Sequence, residues 1–132
     1  MSDSHYILCI DDDEDDYQLL ADALHHINPS LLLQFEKSGA DALKFLHHAI
    51  EKDNLPRLIV LDLNMPGMDG KITFQQIRSV PALASIPVLF FSTSVNDPDI
   101  VEFENNGVSI FKKPNTVKDF DEIAMTIVYL ML

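Results

Sequence analysis

The chain has 132 residues, is 47% hydrophobic and carries a formal net charge of −12. That length and apolar content suit one compact domain with an ordinary core and exclude compositional disorder. The acidic surplus argues against nucleic-acid binding through phosphate contacts, which needs a basic surface, and against an anionic membrane surface, and it favours basic protein partners or metal cations.

In chain order, "YILCI" (6–10) is a β-rich run. The residues before it carry no basic n-region, so this is not a signal peptide. The lone Cys9 allows no internal disulfide, and as a small residue inside a buried strand it reads as core. "DDYQLLADALHHI" (15–27) places Leu19, Leu20, Ala23, Leu24 and Ile27 at helical spacing. "LLLQFEK" (31–37) reads as a strand after the Asn28-Pro29 break, and "GADALKFLHHAIEKD" (39–53) as a helix capped by Ser38. "LIVLDL" (58–63) is the continuous apolar run of a central parallel strand. "GKITFQQIRSV" (70–80) is a helix with Asp69 as its candidate cap, and "IPVLFF" (86–91) is another buried strand. "DPDIVEFENNG" (97–107) is a short helix, with Asp97 at the N-cap, Pro98 at N1 and Gly107 at the stop. "VSIFK" (108–112) is the fifth strand and "TVKDFDEIAMTIVYLML" (116–132) the last helix. No apolar run approaches the ~18 residues of a membrane span, and the expected location is the cytoplasm.

Five strand–helix units without a linker predict one α/β domain, with a parallel sheet and helices on both faces. Function in such sheets gathers beyond the carboxyl ends of the strands. Asp11 and Asp12 end the first strand, Asp62 the third, Ser92 and Thr93 the fourth, and Lys112 and Lys113 the fifth. Alone, the acids from Asp11 to Asp16 read as a solvated loop. With the other strand ends they read as a cation site.

Four segments carry a family resemblance: "ILCIDD", "LIVLDLNMPGMDG", "PVLFFSTS" and "IFKKP". In this order they are similar to the receiver domain of two-component response regulators, over the whole chain. The acid-rich "DDDEDD" and "STSVND" resemble most the small single-domain regulators that partner phytochrome-type kinases. The resemblance implies the flavodoxin-like receiver fold, five parallel strands in the order 2-1-3-4-5, as one receiver domain over 1–132 with no output domain. It implies a phosphoacceptor signalling protein in which Asp62 takes a phosphoryl group from a histidine kinase phosphohistidine. Asp12, Asp62 and the backbone carbonyl of Asn64 would coordinate Mg²⁺, and Asp11 would act through metal-bound water. Ser92 would hydrogen-bond the phosphoryl group, and Lys113 would pair with the acceptor and later with the phosphate. A cis Lys113-Pro114 bond is expected as well, turning the ammonium into the crevice. The implied partners are a sensor histidine kinase or phosphotransfer protein and a downstream protein, with neither nucleic acid nor membrane. The implied output is a switch in protein contacts or a phosphoryl relay, with no enzymatic activity beyond promoting the protein's own phosphorylation and dephosphorylation.

The residue types suit that chemistry. A carboxylate can attack phosphorus to give an acyl phosphate. Both reactants are anionic, and a hard divalent cation offsets the repulsion; oxygen-only ligands suit Mg²⁺ better than Zn²⁺. Asp13 to Asp16 are expected in the loop and first helical turn, where negative charge suits the helix dipole.

Competing readings are weaker. The sixth residue from Asp11 is Asp16 rather than Gly, and the twelfth is Asp22 rather than Glu, which is wrong for an EF-hand. The pairs His25-His26 and His47-His48 are neighbours that cannot share a helix face, so they are expected at the surface. Gly67 and Gly70 are turn glycines without a nucleotide fingerprint. Two alternative functions remain. A haloacid-dehalogenase-like aspartate phosphohydrolase would use Asp11 and Asp13, though Asp15 stands where that family expects Thr or Val. A pseudo-receiver would bind partners without phosphorylation, against the complete set of acids, hydroxyl and lysine.

Two features depart from the family pattern. Ile110 stands where many receivers place Tyr or Phe, and Phe111 could substitute only through a bulge or slip. The last helix has two apolar stripes: Phe120, Ile123, Ile127 and Leu130 for docking on the sheet, and Met125, Val128, Tyr129 and Leu132 for a homodimer or partner surface.

Overall fold

The central strands form where the sequence is almost continuously apolar, because helices cover both faces of the sheet. The computed structural model describes residues 6–63, 65, 70–92, 108–114 and 116–131. β1 (Tyr6–Ile10) and β3 (Leu58–Asp62) are buried at all of their positions. β2 (Leu32–Glu36), β4 (Val88–Ser92) and β5 (Ser109–Lys112) complete one parallel sheet in the order β2-β1-β3-β4-β5. β1 therefore pairs with both β2 and β3, Cys9 standing opposite Phe35 and Val60. β2 lies at an edge, and Leu32 there is exposed.

Among the described residues the helices are α1 (Glu14–Ile27), α2 (Gly39–Glu51), α3 (Gly70–Ser79) and α4 (Val117–Leu130). Side-chain alternation along the strands divides the core into two layers. Leu8, Ile10, Ile59, Leu61 and Phe90 pack with Ala42, Leu46, Phe74 and Ile77 on the α2–α3 face. Ile7, Cys9, Leu58, Val60, Leu89 and Phe91 pack with Leu20, Leu24, Phe120, Ala124 and Ile127 on the α1–α4 face. Among the described residues no helix is long and apolar enough to cross a membrane.

Caps set where the helices begin. The Ser38 hydroxyl accepts from the Asp41 amide at 3.1 Å, as expected, and Thr116 accepts from the Asp119 amide at 3.2 Å to start α4. The expected helix over 97–107 and the Asp69 cap lie outside the described residues.

The final helix corrects the expected stripes. Phe120, Ala124 and Ile127 are buried, with Ile123, Val128 and Met131 packed against the same layer. Leu130 is 51% exposed, so it is not part of the docking stripe. Val128 leaves the outer stripe for the docked one, because the contact face centres on the small Ala124, through which the helix approaches the sheet. Met125 and Tyr129 are left on the outside, and Leu132 lies outside the described residues.

Gly70 matters for its lack of a side chain. A Cβ there would collide with the Asp62 carbonyl oxygen and stand 2.5 Å from Leu63 Cα. The start of α3 thus lies directly against the end of β3. Overpacking against backbone costs typically 1–3 kcal/mol. Gly70→Ala is expected to destabilise the protein by about 2 kcal/mol or more, read as a lowered urea midpoint. An unchanged midpoint would contradict the close approach.

Candidate phosphoacceptor site

The carboxyl ends of β1, β3 and β5 bring the expected charged residues together. Asp62, the last residue of β3, is 2% exposed, and Asp11, following β1, is 8% exposed. Asp12 is exposed beside them. One carboxylate oxygen from each of Asp11, Asp12 and Asp62 can be chosen so that all lie within 4.8 Å of one another. Two unit charges at that separation repel by at least about 3 kcal/mol at an effective dielectric of ~20.

Lys113 follows β5 and supplies the opposing charge. Its Nζ lies 3.2 Å from Asp62 Oδ2, 3.1 Å from Asp11 Oδ2 and 2.9 Å from Asp16 Oδ2. Burial pushes the ammonium down, but contact with Asp16, Asp11 and Asp62 outweighs it and holds Lys113 above the usual lysine range. The expected cis bond is absent: Lys113-Pro114 is trans. The long lysine stem reaches three carboxylates from that geometry, so the crevice asks for no turn of the backbone.

Asp11 is well tied. Its Oδ1 accepts from the Asp13 amide at 2.9 Å and from Lys113 at 3.3 Å, while Oδ2 faces the same ammonium. Burial pushes its carboxyl up to about 7; the Asp13 amide opposes the rise, the Asp62 charge adds to it, and Lys113 opposes it. The Asp12 carboxyl is also raised, by partial desolvation, then by a hydrogen bond with Asp62 and its charge. Carboxylates that crowd one another in this way form a place for a cation. The donors are all oxygen, and none of the paired histidines belongs to the group; His25, His26, His47 and His48 are exposed.

The rest of the acidic run divides by role. The Asp13 carboxylate accepts from the Asp15 and Asp16 amides at 3.0 and 3.2 Å and caps α1. Asp15 points outward and is exposed. Asp16 lies in the first helical turn, as expected, and also makes the shortest contact to Lys113. The signal for it lies in the helical period: Asp16, Leu20 and Leu24 are four apart, and both leucines are buried.

Ser92 ends β4 opposite Lys112; its side chain, like Asn64 and Thr93, lies outside the described residues. β5 has regular register, with Ile110 opposite Phe90 and Phe111 opposite Phe91. Ile110 packs on the α2–α3 layer and Phe111 on the α1–α4 layer, so no bulge carries the Phe111 ring into the position of its neighbour.

Comparison with known proteins agrees with this geometry. The family model of the response regulator receiver domain matches residues 7–124. The response regulator Rcp1 of Synechocystis sp. is 33% identical over 116 residues, covering 86% of this chain and 79% of Rcp1. The crystal structure of the phosphorylated cyanobacterial phytochrome response regulator RcpA superposes with a TM-score of 0.85 at 27% identity, over 97% of this chain and 94% of RcpA. The Mn²⁺-bound form of Rcp1 gives a TM-score of 0.79 at 28% identity, over 93% and 91%.

The raised Asp11 carboxyl has a pH consequence. A carboxylate whose folded pKa exceeds its ordinary value favours folding fully below the unfolded value, and that contribution is lost as pH rises through the folded value. Without divalent cations, the Asp11 contribution should therefore disappear between about pH 4 and about pH 7. Over that interval the wild type should lose roughly 1–3 kcal/mol relative to Asp11→Asn. Urea denaturation of both proteins in chelator checks this; a difference that does not vary with pH contradicts it.

Proposed function

Because the chain belongs to the family of response regulator receiver domains, we propose that Asp62 is the residue that accepts the phosphoryl group. The donor is a phosphohistidine of a sensor histidine kinase or phosphotransfer protein, acting in the cytoplasm, where the ATP that charges such a donor is found. The observation that carries this reading is the buried Asp62 carboxylate with the Lys113 ammonium 3.2 Å away and the oxygens of Asp11 and Asp12 beside it. An Asp62 oxygen attacks phosphorus; the phosphorus–nitrogen bond breaks, and its electron pair returns to the imidazole, which takes up a proton. The product is an acyl phosphate.

The oxygen-only donor set fits a hard divalent cation, and the Mn²⁺-bound form of the relative Rcp1 supports that fit. We assign Mg²⁺, held by Asp12, Asp62 and the Asn64 carbonyl. Asp11 acts through a metal-bound water, as the family resemblance implies. A divalent cation bound there supplies the positive charge that offsets repulsion between carboxylate and phosphoryl group. Lys113 neutralises Asp62 before transfer and a phosphoryl oxygen after it, and Ser92 donates a hydrogen bond to the phosphoryl group. The likeness to RcpA supports a phytochrome-type kinase as the source of the signal. The output runs through protein contacts or onward relay. The outer part of α4, where Met125 and Tyr129 are exposed, supports a partner or homodimer surface there.

Incubation with Mg²⁺ and a small acyl-phosphate donor should add one phosphoryl group to the wild type, read by intact mass, and none to Asp62→Asn. Undiminished uptake by Asp62→Asn would refute the assignment. In a cation titration of the same reaction, Asp12→Ala should raise the half-saturating Mg²⁺ concentration by about tenfold or more, whereas Asp15→Ala leaves it unchanged. Equal effects would mean that the acidic run has been divided wrongly.

A further inference from the structure

We propose that Asp16 is a positioning residue for phosphoryl transfer, acting on Asp62 through the Lys113 ammonium. The inference rests on the reading of Asp62 as acceptor and adds a residue to its machinery.

The geometry supports this at three points. Asp16 Oδ2 lies 2.9 Å from Lys113 Nζ, against 3.1 Å for Asp11 and 3.2 Å for Asp62. An ammonium has three donors, and these three carboxylates match them. Asp16 is also the one of the three that stands outside the cation group of Asp11, Asp12 and Asp62. Finally, the backbone beneath Asp16 is fixed. Its amide donates to the capping Asp13 carboxylate at 3.2 Å, and the next residue, Tyr17, stacks on Phe35 with ring centroids 4.2 Å apart. The Asp16 side chain is therefore aimed by a capped helical turn anchored to the sheet.

The chemistry supplies the reason for such a contact. A lysine stem has many rotamers, and holding one of them costs entropy. A bound divalent cation would draw on the charge of Asp11 and Asp62, and phosphoryl transfer would alter Asp62 itself, so two of the three partners of Lys113 would change. Asp16 does not change. It keeps one donor engaged while the donor that served Asp62 passes to a phosphoryl oxygen. Orientation prepared in advance lowers the barrier to transfer.

The alternative is a merely structural tie between α1 and the end of β5, and a double-mutant cycle separates the two. Rates of phosphoryl uptake from a small acyl phosphate at saturating Mg²⁺ are measured by intact mass for the wild type, Asp16→Ala, Lys113→Ala and the double variant. Mg²⁺ affinity by calorimetry and the urea midpoint are measured on the same four proteins. Asp16→Ala should slow uptake roughly three- to tenfold with Mg²⁺ affinity within about twofold. The double variant should be no slower than Lys113→Ala. Asp16→Asn, which keeps an acceptor at the same reach, should recover part of the rate, and it replaces Asp16→Ala should that variant fail to fold. Wild-type rates in the Asp16 variants, or a double variant slowed by the full Asp16 factor below Lys113→Ala, would overturn the inference. An unimpaired Lys113→Ala would instead overturn the reading of the site itself.

Discussion

Four carboxylates against one ammonium set the terms for this molecule. Asp11, Asp16 and Asp62 contact Lys113 at the carboxyl edge of the sheet, and Asp12 stands beside Asp11 and Asp62. The charge there is far from balanced, and each unneutralised pair costs energy that water cannot screen away around the buried Asp62 and Asp11. The hydrophobic core on both faces of the sheet holds the strand ends in place against that repulsion. The same imbalance makes the edge a place that could hold a divalent cation.

Backbone contacts give the cluster its geometry. The Asp13 amide holds Asp11, the Asp13 carboxylate holds the first turn of α1, and Gly70 lets α3 begin directly against the end of β3. Each is a local device with a consequence at Asp62. A longer side chain at position 70 would displace the strand end, and a lost cap at 13 would loosen the turn that carries Asp16.

Much of this is legible in the sequence because it rests on short-range patterns. Continuous apolar runs mark β1, β3 and β4, since strands covered on both faces have no polar side to show. Ser38 reads as a cap from its place before an amphipathic run. Asp11, Asp12, Asp62 and Lys113 are found by asking what ends each strand. Three points are not legible in this way. Asp16 was hidden among neighbours of the same charge, and only its four-residue spacing from Leu20 and Leu24 separates it from the outward Asp15. In α4 the small Ala124, counted in neither stripe, marks the true contact face, and this moves Val128 inward and Leu130 outward. The cis Lys113-Pro114 bond expected from the resemblance is absent, and the long lysine stem reaches the carboxylates from a trans bond.

The fifth strand bears on how the state of Asp62 is passed on. Ile110 and Phe111 face opposite layers in a regular register, so an inward-turning ring behind Ser92 is not available from either. The Lys113 ammonium touches α1 through Asp16 and β3 through Asp62. The central claim, that this edge forms an acyl phosphate on Asp62, is tested most directly by reductive trapping. Borohydride cleaves an acyl phosphate and leaves a homoserine at the modified aspartate. After phosphorylation in the presence of Mg²⁺, peptide mass spectrometry should find Asp62 converted to homoserine. Conversion of Asp11 or Asp12 instead, or a phosphate that resists borohydride and maps to Ser92, would contradict the account.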